Sequence, residues 1–351
     1  MNAPDRPLEP RLTSLSHGGG CGCKIAPGVL SEILKGTAGM AMPKELLVGI
    51  ETADDAAVYQ LNDEQALIAT TDFFMPIVDD PYDFGRIAAT NAISDVYAMG
   101  GTPILALALL GMPINKLPIE VIRRIVEGGE SVCTAAGIPI AGGHTIDSVE
   151  PIYGLVVLGL VHPANVKRNS GAKAGDVLVL GKPLGVGVYS AALKKDALDA
   201  ELYGQMIAST TKLNTPGRIL SELAEVHALT DVTGFGLLGH LNEIALGSQL
   251  AARVRVQDIP WLPGVRQLAQ QGYVTGASGR NWAGYGQHVT LNNIDETMKA
   301  LLTDPQTSGG LLVACAPAAI GGVLEIFRAD GFAQAAVIGE LAAGHGITVE
   351  G

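Results

Sequence analysis

Strand-like apolar runs alternate with helical runs along most of this chain, which restricts it to a mixed α/β architecture. The apolar runs that predict strands are residues 67–71, 104–109, 155–161 and 176–180, and the runs with helical spacing are 83–99 and 119–136. The polar, turn-rich segment 162–175 separates two such halves. The sequence therefore predicts the α/β (α+β) class with two α/β domains, 51–162 and 170–351, preceded by an N-terminal arm within 1–50.

The length and net charge of the chain exclude some classes of function. A chain of 351 residues is long enough for two domains, and 48% hydrophobic residues are enough for a substantial core. The net charge of −12 disfavours nucleic acid as a partner, although divalent cations would let an acidic protein bind a polyphosphate. The chain has no apolar run long enough for a membrane span, no apolar signal core, and too few cysteines for a disulfide scaffold. We therefore expect a cytoplasmic protein that does not bind a membrane.

A glycine-rich segment at residues 16–24 carries Cys21, Cys23 and Lys24. Glycine reaches backbone conformations that other residues avoid, so the segment predicts a flexible lid that closes over a substrate. The adjacent cation is expected to favour the thiolate form of either cysteine. The alternative is a loose N-terminal tail with incidental cysteines.

Carboxylates recur where α/β proteins gather ligand groups. Asp54 and Asp55 stand at the entrance to a strand, and Asp72 follows the apolar run 67–71, so we expect it at a strand end. Asp95 falls within the apolar stripe of the helix at 83–99. A buried carboxylate needs a cation or a proton, and the alternative for Asp95 is a neighbouring arginine or a helix end.

Two glycine-rich segments complete the candidate site. Asp231 lies on a turn that opens a helix, where the alternative role is an N-cap. Residues 142–145 follow an apolar run and predict a turn whose free N–H groups could bind phosphate, although an ordinary loop is the alternative. His240 lies in an apolar helical run and is expected to serve packing. The usual nucleotide fingerprints are absent, so the residues favour Mg²⁺-dependent phosphoryl transfer to an unusual acceptor.

The ordered set of motifs closely resembles the selenophosphate synthetase (selenide, water dikinase) family, of the aminoimidazole ribonucleotide synthetase superfamily. The motifs are HGGGCGCK at 17–24, TADD at 52–55, TDFFMP at 71–76, NAISD at 91–95, GGHT at 142–145, DVTGFG at 231–236 and DPQTSGG at 304–310. The resemblance extends from about Thr13 to the C-terminal region. The later motifs are shared across the superfamily, and the arm with cysteines and lysine is the part that points to selenium.

The resemblance implies a reaction of ATP, selenide and water that gives selenophosphate, AMP and phosphate, and so supplies activated selenium for selenocysteine and selenouridine synthesis. It also implies Mg²⁺, with more than one ion, and K⁺ as a further cofactor. The implied fold has two α/β domains, and the N-terminal domains of two chains pair into a β-barrel across a homodimer, with the ATP site beside it.

The resemblance also implies roles for individual residues. Cys21 would be the catalytic thiol, and Lys24 would contact the ATP phosphates. The other nucleotide positions would be Thr52, Ala53, Asp54, Asp72, Asp95, Gly143, His144 and Thr145, and the Mg²⁺ ligands would be Asp55, Asp95 and Asp231. Ala53 stands where some relatives have arginine, so only its backbone could serve there. Cys23 has no comparable role.

Two alternatives remain at this point. One is another ATP-dependent enzyme of the superfamily, such as aminoimidazole ribonucleotide synthetase or a thiamine phosphate kinase, which has no need of Cys21. The other is a selenium carrier without turnover, which needs no cluster of Mg²⁺ ligands. The dikinase interpretation requires Asp55, Asp95 and Asp231 to converge in the folded chain.

Overall fold

Two mixed β-sheets with helices form the described part of the chain. The computed structural model describes residues 10–25, 29, 32, 33, 42–50 and 54–351. The first sheet contains β1 (Leu46–Val48), β2 (Ala57–Gln60), β3 (Ala66–Phe74), β4 (Thr102–Met112), β5 (Ile140–Asp147) and β6 (Ile152–Val161). Its order is β1-β2-β3-β6-β4-β5, and only β4 and β5 run parallel. None of the described helices is both long and apolar enough for a membrane crossing.

The second sheet follows in the C-terminal half. Its strands are β7 (Val177–Leu180), β8 (Val226–Asp231), β9 (Leu250–Arg255), β10 (Val289–Asn292), β11 (Leu311–Cys315), β12 (Ala336–Ala343) and β13 (Gly346–Glu350). The order is β10-β13-β9-β12-β7-β11-β8. The pairs β10/β13 and β13/β9 are parallel, and the other pairs are antiparallel.

Ten α-helices are described. They are α1 (Pro81–Ala98), α2 (Ile119–Ala135), α3 (Val186–Leu193), α4 (Ala200–Thr210), α5 (Pro216–Ser221), α6 (Gly236–Ser248), α7 (Val265–Gln270), α8 (Gly276–Tyr285), α9 (Glu296–Leu302) and α10 (Ile320–Ala329). In the arm, two short 3₁₀ segments, Leu12–Leu15 and Gly20–Cys23, pack against this body.

Helix α1 joins the two halves, since it contacts β3, β6 and α2 on one side and β8, α4 and α5 on the other. It begins after the N-cap Asp80, whose side chain accepts the Asp83 N–H. Glycines allow its close approach to α2. A Cβ on Gly85 would lie 1.9 Å from the Ile125 carbonyl oxygen, and one on Gly128 would lie 2.1 Å from that of Tyr82. Because nearly every side chain of α1 is buried, its polar residues face internal sites rather than solvent.

The main sequence expectations for secondary structure are confirmed. The helices predicted at 83–99 and 119–136 are present as α1 and α2. Gly100 follows the end of α1 with φ +80°, a left-handed conformation that favours glycine at a helix end. The four apolar runs lie in β3, β6, β4 and β7. The sequence also predicts a short helix around residues 27–34, which falls mostly outside the described residues.

Two local expectations are wrong. Asp72 is not at a strand end, because the ladder to β6 continues past it and pairs Phe74 with Tyr153. Residues 142–145 do not form a turn but lie within the edge strand β5, whose backbone pairs with β4. A Cβ on Gly143 would lie 2.1 Å from the Ala108 carbonyl oxygen, so glycine here permits close strand pairing.

Candidate active site

Three carboxylates from distant parts of the chain meet at the junction of the two halves. Asp55 precedes β2, Asp95 lies in the last turn of α1, and Asp231 is the last residue of β8. One oxygen of each lies within 4.8 Å of the others. The convergence that the sequence interpretation requires is therefore present in the fold.

Hydroxyl groups orient these carboxylates. Thr230 donates to Asp55 Oδ1 at 3.0 Å, Thr70 to Asp95 Oδ2 at 2.5 Å, and Ser94 to Asp231 Oδ2 at 2.5 Å. Two of these donors neighbour a cluster residue in sequence, so the strand and helix that supply the carboxylates also supply their partners.

Two of the alternatives for these acids, an arginine partner for Asp95 and an N-cap role for Asp231, are not found among the described residues. Among the described residues, no arginine forms an ion pair with Asp95. Asp231 is not an N-cap, because the capping position of α6 belongs to Phe235 and uses no side-chain hydrogen bond. His240 does pack, as expected, since it is buried in α6 and stacks on Phe235 at 5.6 Å between ring centroids.

The cluster is electrostatically unfavourable without a cation. Burial, followed by repulsion from Asp231, raises the pKa of Asp55 and of Asp95 well above the ordinary value. Burial also raises the pKa of Asp231. Asp55 Oδ2 is buried without a hydrogen-bond partner among the described residues. Because carboxylate oxygens are the ligands that Mg²⁺ prefers, these three residues fit a divalent cation of that kind.

This cluster predicts an unusual pH dependence for the metal-free protein. Each raised pKa means that the folded state binds a proton that the unfolded state has lost above about pH 4. The cluster's contribution to the free energy of unfolding therefore falls as pH rises, by about 1.4 kcal/mol per pH unit for each such proton. We expect Mg²⁺ to raise the melting temperature more at pH 8 than at pH 5. Equal Mg²⁺ effects at both pH values, measured by calorimetry, would contradict this account.

Cys21 is docked in the interior rather than exposed on a tail. Its side chain is 1% exposed, and its thiol donates to Asn91 Oδ1 at 3.1 Å. Its backbone N–H donates to Thr307 Oγ1 at 3.2 Å. Asn91 Nδ2 donates in turn to Asp72 Oδ2 at 2.8 Å, and Lys24 Nζ lies 3.3 Å from that same oxygen. Cys21 and Lys24 thus meet at the pair formed by Asn91 and Asp72.

The expectation that the adjacent cation makes Cys21 favour the thiolate form is wrong in this docked arrangement. Burial raises the pKa of Cys21 well above its usual value, and the negative charge of Asp72 raises it further. Lys24 opposes this shift but is outweighed. Asp72 is the main reason why the pKa of Lys24 is raised. Cys21 is therefore a neutral thiol here, consistent with its donation to Asn91.

The other predicted site residues are distributed unevenly. Asp54 Oδ1 accepts the backbone N–H of Asn169 at 2.6 Å, which ties the residues before β2 to the turn-rich segment 162–175. Thr52 and Ala53 lie outside the described residues. Residues 143–145 are exposed on β5.

The strand register gives the distance between Gly143 and Asp72. Asp72, Leu155, Ala108 and Gly143 occupy one row across β3, β6, β4 and β5. Three interstrand steps separate the ends of this row, which makes about 14 Å between Asp72 and Gly143. Within one chain, the GGHT segment therefore lies three interstrand steps from Asp72.

The sequence analysis assigned no role to several polar residues around Cys21. Asn91 accepts both the Cys21 thiol and the Ser308 N–H, the latter at 2.7 Å. Lys182 is buried and donates to the Ser308 carbonyl at 2.8 Å, and burial lowers its pKa to about 7. The sequence did contain a signal for Asn91, because it lies one helical turn before Asp95 and so shares a face of the helix with it. The loop at 304–310 could have been recognised as part of the site from its DPQTSGG motif.

Two family models together match most of the chain from residue 53 onwards. Residues 53–161 match the AIR synthase related protein, N-terminal domain, and residues 173–351 match the corresponding C-terminal domain. Among solved structures, tt0281 from Thermus thermophilus has a TM-score of 0.69 at 19% identity, and covers 93% of this chain and 96% of its own. Thiamine monophosphate kinase from Aquifex aeolicus has a TM-score of 0.65 at 18% identity, covering 92% and 96%. At these identities the likeness shows the fold.

Closer relatives are found by sequence. A selenide, water dikinase of Burkholderia pseudomallei (strain K96243) is 71% identical over 336 residues, which is 95% of each chain. The protein of that name from Pseudomonas straminea is 68% identical, covering 95% of this chain and 94% of its own. That of Rhizobium meliloti (strain 1021) is 60% identical, covering 96% and 97%. With full-length identity at this level, the chain belongs to the selenide, water dikinase family of AIR synthase related proteins.

Proposed function

We propose that this protein converts ATP, selenide and water into selenophosphate, AMP and phosphate, as a selenide, water dikinase. The observation that carries the proposal is the position of Cys21, a buried thiol that reaches Asp72 through Asn91 beside a carboxylate cluster suited to Mg²⁺. A phosphoryl-transfer site needs charge neutralisation, and selenide, itself a soft and oxidisable nucleophile, needs a closed site that shields it from water and oxidant. The high sequence identity to proteins named selenide, water dikinase agrees with this chemistry.

The proposed mechanism assigns separate tasks to the residues. Mg²⁺ held by Asp55, Asp95 and Asp231 would neutralise phosphate charge during transfer. Lys24 would leave Asp72 in part to contact the nucleotide phosphates. Asn91 holds the thiol of Cys21 towards the site. The docked segment Gly20–Cys23 would exclude water from the selenium substrate, and its opening would admit substrates.

Release of AMP distinguishes the dikinase from other members of the superfamily. Under anaerobic, reducing conditions we expect AMP only when selenide is added to protein, ATP and Mg²⁺. AMP formation that does not depend on selenide would favour another ATP-dependent enzyme of this superfamily. Calorimetry that detects no Mg²⁺-dependent ATP binding would favour a selenium carrier.

We propose the remaining nucleotide roles on the same basis. Thr52, Ala53 and Asp54 would contact ATP next to the metal ligand Asp55, and K⁺ would be a further cofactor. All four cysteines are free, which fits a reducing cytoplasm. The proposed domain 51–162 would carry the first sheet apart from β1, and 170–351 would carry the second sheet, with the arm in 1–50 acting as a lid.

A homodimer would account for the apolar face of the first sheet. The row next to Asp72 contains Phe73, Gly154, Leu109 and His144, on the face opposite α1. Phe73 is 51% exposed, and Ile146 on the same face is 57% exposed. Pairing two such faces into a barrel would bury this surface and bring β5 of one chain to its partner. We propose that Gly143, His144 and Thr145 bind phosphate in that setting.

Leu109→Lys is expected to turn this dimer into a monomer, because it places a charge in the centre of the apolar face. Leu246→Lys is the matched control, since Leu246 is 54% exposed on α6 in the other half. Sedimentation velocity at micromolar concentration measures both variants. A wild-type monomer, or a Leu109→Lys dimer as stable as the control, would contradict the proposed barrel.

A further inference from the structure

A cavity of about 340 Å³ lies between the docked arm, helix α3 and the start of helix α8. Its basic lining side chains are His17, Lys194, Lys195 and Arg280. No aspartate or glutamate is among the described residues that line it, although Glu150 contacts His17 at 2.9 Å. In a chain of net charge −12, such a cavity concentrates anions relative to the rest of the surface.

Two of these cations hold the arm through its backbone. Lys194 Nζ donates to the Gly18 carbonyl and Arg280 Nη2 to the Gly22 carbonyl, each at 3.1 Å. Within the described part of the chain, neither side chain forms a salt bridge. A carbonyl dipole satisfies a donor without neutralising its charge, so both cations retain positive charge for an anionic ligand.

A second, smaller cavity connects this region to the buried thiol. It measures about 10 Å³, and its lining includes Cys21, Lys24 and Arg280. Gly22, Ala277 and Arg280 line both cavities. The smaller one has room for about one water molecule, so a larger species passes only when Arg280 or the arm moves.

We propose that the larger cavity, the cationic cavity, binds the selenium substrate as a small chalcogenide monoanion and delivers it past Arg280 to Cys21. This inference rests on the proposed function and adds the route by which its substrate arrives. The three carboxylates and the ATP phosphates would repel an anion approaching from the nucleotide side, whereas the cationic cavity attracts it. The weakly hydrated guanidinium of Arg280 suits a soft anion.

Alkylation of Cys21 tests the route without turnover. Iodoacetate and iodoacetamide are of similar size, and only the former is an anion. Both react with the thiolate, so the ratio of their rates, followed at the Cys21 peptide by mass spectrometry, reports charge selection along the path. Removing one cation should lower this ratio about five-fold in Arg280→Gln and in Lys194→Gln, which corresponds to about 1 kcal/mol of charge interaction.

Matched controls remove the same charge elsewhere. Arg328→Gln on α10 and Lys173→Gln in the C-terminal half both replace exposed residues that line neither cavity, and should keep the wild-type ratio. If Arg280 only latches the arm, both reagents will accelerate equally in Arg280→Gln, and the unchanged ratio will overturn the proposal. A KM for selenide raised in Arg280→Gln, with the KM for ATP unchanged, will support it. A wild-type protein that makes no AMP with selenide would reject the proposed function, whereas the alkylation ratio would still be measurable.

Discussion

Asp95→Asn is expected to reduce Mg²⁺-dependent ATP affinity and selenide-dependent turnover by about 100-fold or more. The change keeps the shape of the side chain and its acceptor for Thr70, but it removes one of the three charges that converge within 4.8 Å. Loss of a residue that only supports a metal ligand costs roughly 10- to 100-fold, so loss of a ligand should cost more. Calorimetric titration of ATP with and without Mg²⁺ measures the effect.

The same substitution should stabilise the protein when no metal is present. Burial and the charge of Asp231 raise the pKa of Asp95, so its ionised form is unfavourable in the fold at neutral pH. A neutral amide removes that cost, and we expect a gain of about 1 kcal/mol or more in the free energy of unfolding. Asp63→Asn, in the exposed turn before β3, is the control and should change neither stability nor ATP binding. Unchanged ATP affinity in Asp95→Asn would mean that Asp95 is only structural.

Cys21→Ser is expected to abolish selenide-dependent AMP formation, by about 1000-fold or more, while the fold and ATP binding remain. A serine hydroxyl can still donate to Asn91, so the docked arm keeps its contact. Lys24→Ala should also eliminate turnover, and in addition it should weaken ATP binding because one cation near the phosphates is lost. Anaerobic assay of AMP together with ATP titration separates the two roles.

The arm and its neighbourhood provide matched controls for both changes. Cys23→Ser removes a second thiol two residues away that lacks the contact with Asn91. Lys44→Ala removes a lysine whose side chain is 92% exposed. Both controls should retain wild-type turnover. Full activity in Cys21→Ser or Lys24→Ala would overturn the proposed assignment of the arm.

Local patterns in the sequence were sufficient for most of the helices and strands, whereas the set Asp55, Asp95 and Asp231 came from the family resemblance. Helical spacing predicts α1 and α2 closely, because an apolar stripe must face a core whatever the rest of the chain does. The position of Asp95 within that stripe indicates a functional carboxylate, because an unpaired charge there needs a specific compensation.

The sequence alone determined that acids, glycine-rich segments and a thiol arm occur in one chain with two α/β halves. Only the tertiary structure decided the contacts that govern their chemistry. It brings Asp55, Asp95 and Asp231 together and separates the GGHT segment from Asp72 by three interstrand steps. It also reverses the expected shift in the pKa of Cys21, since Lys24 is a sequence neighbour whereas burial and Asp72 arise from folding. The physical reason is that distance and desolvation, which set electrostatic energies, depend on parts of the chain far apart in sequence.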